Sequence, residues 1–107
     1  MTTDMTGDDI IQILGLEPHP EGGHYRQVYE HVPADGSRGF MSSIYFLLRA
    51  GERSHWHRQD MTEIWSYHAG SPANVSVWIE GNPVKTHRLG NNLATGERPQ
   101  VMVPAGA

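Results

Sequence analysis

The spacing of apolar residues changes rhythm once along this chain. Ile10, Ile11, Ile13 and Leu14 recur at helical spacing and would share one face. Thr6 stands where an N-cap belongs, Asp8 and Asp9 fall in a first turn where the helix dipole favours anions, and Gly15 occupies the position of a C-terminal glycine. The pattern therefore predicts one short helix near the N-terminus. Pro18 and Pro20 forbid its continuation, and Gly22-Gly23 supplies a turn.

Beyond that point the period falls to two. His24 to His31 alternates, with Tyr25 and Tyr29 expected on one side and Arg26 and Glu30 on the other. Met41 to Arg49 is apolar and rich in β-formers, as expected of a central strand buried on both faces. Arg53 to Arg58 and Glu63 to His68 read as two strands joined by a polar loop. Asn74 to Ile79 alternates, with Val75, Val77 and Ile79 opposed to Ser76 and Trp78. Val84 to Leu89 and Gln100 to Val103 complete the set. Short strands at regular intervals, separated by Gly, Pro and Asn, predict an all-β antiparallel sandwich or barrel.

Composition narrows the function. A length of 107 residues implies a single domain spanning 1–107, and 37% hydrophobic residues gives it a modest core. The net charge is −4 and no cluster of Lys and Arg occurs, which argues against a nucleic-acid partner. No apolar run is long enough to cross a membrane, and the polar, acidic stretch from Met1 to Asp9 does not resemble a signal peptide, so a cytoplasmic location is expected. With no cysteine, any metal site must use His and carboxylate ligands.

The candidate chemistry centres on His55, His57 and Glu63. Two histidines two apart on a strand would point to one face, and Glu63 on the next strand could join them. Trp65 and Tyr67 continue the face of Glu63 at the same spacing. One wall carrying imidazoles, a carboxylate, an indole and a phenol has the make-up of a small-molecule pocket. His55, His57 and Glu63 would also suit a divalent metal such as Mn, Fe, Ni or Zn. Tyr45 reads equally as core or as pocket lining. Arg26 could meet an anionic ligand, although a surface ion pair is the plainer reading. His19, His24, His31 and His87 read as solvated, and Trp56 as core packing.

Gly51, His55-x-His57, Glu63 and Gly70 resemble the first motif of the cupins, with three residues between Gly51 and His55, five between His57 and Glu63, and six between Glu63 and Gly70. A more specific resemblance, to the DUF985 (cupin_5) family, runs through four segments in order. These are His19-Pro20-Glu21-Gly22-Gly23-His24-Tyr25-Arg26, then Ser43 to Leu48, then Ser54-x-x-His57-Arg58 with Glu63-Ile64-Trp65, and finally Leu89-Gly90, Gly96 to Gln100 and Val103 to Gly106. The resemblance implies a jelly-roll barrel, a homodimer and a small-molecule ligand, and it draws Glu21 towards the ligand site. It leaves three readings open. One is a metal-free epimerase or isomerase acting on a sugar-like metabolite, with His57 as base, Glu63 holding it, Tyr67 or Tyr45 as acid and Trp65 stacking on the ligand. The second is a metal-dependent enzyme using His55, His57 and Glu63. The third is a non-catalytic metabolite-binding module. Cupins of the metal-binding type carry a further His after a P-x-G turn. Here Pro104-Ala105-Gly106 is followed by Ala107, where the sequence stops, so a three-His, one-Glu set cannot be assembled. The expectation is a chain truncated at its C-terminus, or one whose barrel a partner chain closes.

Overall fold

The computed structural model describes residues 5–107. Residues 1–4, part of the polar N-terminal stretch, lie outside the described residues. The fold is mostly β with one short α-helix, and it divides into two compact units, one ending at Trp56 and the other running from His57 to Ala107.

In the first unit, α1 spans Gly7–Leu14, with the caps that the sequence predicts. The Thr6 hydroxyl accepts from the Asp9 amide, and the Asp9 carboxylate accepts from the Thr6 amide, so two orphan donors are satisfied reciprocally. Gly15 closes the helix in the left-handed region. Three strands follow in the order β1-β2-β3, all antiparallel: β1 (Glu17–Pro18), β2 (His24–Glu30) and β3 (Ser42–Leu47). Arg26 crosses from β2 to donate to the Leu14 carbonyl, where the helix end favours a cation. Arg49, just after β3, pairs with Asp8 at 2.8 Å.

Arg49 also binds Glu52 through both its amide and its guanidinium. The guanidinium contact, followed by the amide contact, holds the Glu52 carboxyl below the usual carboxylate range. A depressed carboxyl stabilises the fold at pH values above its ordinary pKa, and that contribution disappears as pH falls through the folded value. In an NMR titration the Glu52 carboxyl should have its midpoint below that of a free glutamate. Arg49→Ala should move the midpoint back up.

Two expectations for this unit need correction. The pairing of β2 with β3 shifts between Gln27 and Tyr29, leaving Tyr25 opposite Phe46 but Tyr29 opposite Ser43. The bulge removes Tyr29 from the face that Tyr25 shares with Phe46 and Ile44, so the two tyrosines do not lie on one side as strict alternation predicts. Nor is β3 a central strand buried on both faces. It pairs only with β2 among the described strands, and its residues from Ser42 to Tyr45 are exposed. An apolar run records that a strand can be covered, not that it is.

The second unit contains two antiparallel pairs. In one, β4 (Glu63–Ser66) joins β7 (Gln100–Val103), and in the other, β5 (Ala73–Val77) joins β6 (Lys85–Leu89). Its buried apolar residues are Val77, Leu89 and Val101. Glu97 is buried too, with 6% of its surface exposed. The sheets are not closed into a barrel among the described residues. The segment 53–58, expected to be a strand, has no ladder partner. Its recorded backbone tie is the His55 amide donating to the Glu21 carbonyl at 2.7 Å. Ile79 lies past the end of β5, in the turn closed by the Asn82 amide on its carbonyl.

Candidate functional site

Along β4 and the two residues that follow it, the side chains of Glu63, Trp65 and Tyr67 are half-buried, while those of Ile64, Ser66 and His68 are exposed. Glu63, Trp65 and Tyr67 therefore form one row, the period-two face expected of a strand. Cross-strand pairing sets Glu63 opposite Val103 and Trp65 opposite the buried Val101. The register continues at the far end, where the Tyr67 amide donates to Pro99.

Each polar group of the row is engaged. The Trp65 indole N–H donates to Glu63 Oε1 at 2.5 Å, a charge-assisted bond between neighbours on one face. It fixes the carboxylate and presents the indole ring edge-on to it. The Tyr67 hydroxyl donates to the Gly70 carbonyl at 2.5 Å, bridging the start of the turn after β4. His57, exposed in the same unit, lies within 2.7 Å of the Gln59 carboxamide, nitrogen to nitrogen. Gln59 is absent from the sequence-based candidates. A single glutamine in a polar loop carries no periodic or motif signal.

The remaining candidates belong to the first unit. Glu21 and His55 are joined through their backbones, while the Glu21 amide donates to His19 Nδ1 at 3.0 Å. Arg26 and Tyr45 are direct cross-strand partners, and Tyr45 is 43% exposed, so it is not a core residue. His19 departs from the solvated reading. Its ring packs edge-on to Tyr25 at 4.9 Å and tilts against Phe46 at 5.3 Å. His31 stacks on Phe40. His24 is half-buried, and its Nδ1 is enclosed without a hydrogen-bond partner. Trp56, expected to pack in a core, is 67% exposed. His55 lies in the first unit and His57 and Glu63 in the second, and among the described residues no group of three or more His, Asp or Glu side chains is placed to hold a metal ion.

The described residues thus form a strand-rich fold with one short helix and an acid–indole–phenol row on one side of β4 and the residue after it. The comparisons give the family. The cupin superfamily model DUF985 (Cupin_5) matches residues 8–107, and the chain belongs to that family. Two solved structures share the fold. A Shewanella oneidensis protein is 48% identical, with a TM-score of 0.89 over 95% of this chain and 65% of its own length. A hypothetical protein from Leishmania major is 32% identical, with a TM-score of 0.85 over 95% of this chain and 66% of its own. The chain thus spans just under two thirds of the length of either structure. No curated protein matches it. Among the described residues no helix is long and apolar enough to cross a membrane.

Proposed function

We propose that residues 1–107 form one cupin domain that binds a sugar-like metabolite and acts on it as an epimerase or isomerase, with His57 as the general base. The observation that carries this reading is the half-buried row of Glu63, Trp65 and Tyr67, with the carboxylate locked by the indole. The indole offers a flat apolar surface to a sugar ring or base, and the second carboxylate oxygen can accept from a ligand hydroxyl. Imidazole suits proton transfer near neutral pH. In such a reaction His57 takes the proton from a carbon next to a carbonyl, and the C–H electron pair moves into the carbonyl as an enolate forms. A proton returned to the carbon restores the carbonyl with altered configuration. Tyr67 is the candidate donor, once its hydroxyl turns from Gly70.

Homodimerisation belongs to the same proposal. Tyr29 and Tyr45, which the register places on one face of the β2–β3 pair, are 50% and 43% exposed, aromatic area that a second copy would cover.

The test uses sugar nucleotides and small hydroxy acids in deuterium oxide, with binding followed by calorimetry and exchange at carbon by NMR. The wild-type protein should bind one class and incorporate deuterium, and His57→Ala should bind it without incorporation. Binding with no incorporation by the wild type would make the domain a recognition module instead. Elemental analysis of both proteins covers the metal reading, which requires near-stoichiometric Mn, Fe, Ni or Zn that is lost from His57→Ala.

A further inference from the structure

The β4–β7 ladder extends beyond its formal ends. The pairs Glu63↔Val103, Ile64↔Met102, Trp65↔Val101 and Ser66↔Gln100 share one register. The strands part after Glu63 and Val103, yet the Gln59 amide donates to the Ala107 carbonyl at 2.8 Å, which is the same register resumed. The Gly106 amide donates to the Gln59 carbonyl at 2.6 Å, and the Ala107 amide turns back to Pro104 at 3.2 Å. The backbone of Gln59 is therefore gripped on both its polar groups by the Pro104–Ala107 turn. This anchor is what lets an otherwise exposed loop hold a side chain in place.

The anchored side chain reaches His57. The Gln59 carboxamide nitrogen lies 2.7 Å from His57 Nε2. An amide nitrogen can only donate, so Nε2 must accept, and in the neutral ring the proton then resides on Nδ1. A free histidine side chain prefers the opposite arrangement, with the proton on Nε2. We infer that Gln59 is a positioning residue that sets the His57 tautomer, keeping Nε2 unprotonated and aimed, so that Nε2 is the atom that takes the substrate proton when a ligand displaces the amide. This rests on the proposed role of His57 as base and names the atom that performs it. No covalent change occurs at Gln59, which yields its N–H contact to the ligand and regains it on product release.

The opposite orientation of the amide would set Oε1 against Nε2 and require a proton there, so the two orientations predict opposite ring protonation. Nitrogen-15 NMR of the histidine rings reads this directly in ligand-free protein, with His57→Ala identifying the signals among those of the seven histidines. Near neutral pH, wild-type His57 should show a pyridine-type Nε2 and a pyrrole-type Nδ1. Gln59→Leu, which keeps both backbone bonds, should shift the ring towards Nε2–H. Gln59→Glu offers only acceptors and should place the proton on Nε2. A pyrrole-type Nε2 in the wild type, or a spectrum unchanged by Gln59→Leu, overturns the inference. Because no ligand or turnover enters this measurement, failure to find a substrate does not alter its outcome. Conversely, the tautomer can be as stated while the exchange test on His57→Ala fails. If both hold, Gln59→Leu should slow deuterium incorporation at least tenfold with ligand affinity within a factor of about three. A merely structural role would lower both or neither.

Discussion

Gly22→Ala should lower the unfolding free energy by about 3 kcal/mol, among the largest effects of any single methyl group added to this chain. Gly22 sits in the Pro20–Gly23 turn with φ +111°, a region that L-residues enter at a cost of roughly 1–3 kcal/mol. The conformation is only half of the difficulty. A Cβ at this position would land on the Arg53 carbonyl oxygen and lie 3.2 Å from the Arg53 carbonyl carbon. Both are backbone atoms, so no side chain can swing aside to relieve the overlap. One neighbour in sequence, Glu21, accepts the His55 amide, so the methyl group would push apart the two segments that this bond joins. Gly51→Ala is the control, because Gly51 has φ +82° but open space around its Cβ position. It should cost about 1 kcal/mol, the conformational share alone. Urea denaturation of both variants checks the difference, and equal midpoints would show that the turn can yield.

The Pro-Glu-Gly-Gly turn is legible in the sequence, because two adjacent glycines after two prolines have few other readings. So are the helix with its caps, which are written in local residue types, and β7, which lies between Pro99 and Pro104. The row of Glu63, Trp65 and Tyr67 is legible because a period of two survives wherever a strand is straight. What the pattern misses is whatever depends on an interruption or on a partner. The bulge at Val28 has no signature in His24 to Glu30, so strict alternation puts Tyr29 on the wrong face. The segment 53–58 alternates acceptably, yet it finds no ladder, and alternation alone cannot reveal that. His19 reads as solvated because its partners, Tyr25 and Phe46, are distant in sequence. Gln59 gains its place from a register resumed across more than forty residues, which no local pattern encodes.

Glu97 makes the same point with a larger energetic consequence. Glutamate is rarely fully buried unless paired, yet Glu97 is buried and serves as the keystone of the loop after β6. Its Oε1 accepts from the Asn92 amide at 3.0 Å, and its Oε2 lies 3.4 Å from Arg88 Nε. Its own amide donates to the Asn92 carbonyl, so the loop is closed from both sides of one residue. Gly90 makes the space. A Cβ there would strike Glu97 Oε1 and stand 3.0 Å from its carboxyl carbon and 3.3 Å from Pro72 Cβ. Glu97→Ala should therefore cost about 3 kcal/mol, through the loss of a charge-assisted bond to the Asn92 amide and the cavity that remains where Glu97 was buried. The Arg88 pairing adds little to this, because the Arg88 side chain is 52% exposed. Glu97→Gln retains one acceptor for Asn92 and should cost about 1 kcal/mol. Gly90→Ala should cost about 2 kcal/mol alone, since the carboxylate it displaces is not at the free end of a mobile side chain but held by Asn92. The decisive measurement is the double variant. With Glu97 already shortened, the new methyl group is relieved of its two tightest contacts, so Gly90→Ala/Glu97→Ala should be at least about 1 kcal/mol more stable than the sum of the single losses predicts. Additive losses in a urea double-mutant cycle would mean that Gly90 and Glu97 act separately, and that the glycine is required by some feature of the backbone instead.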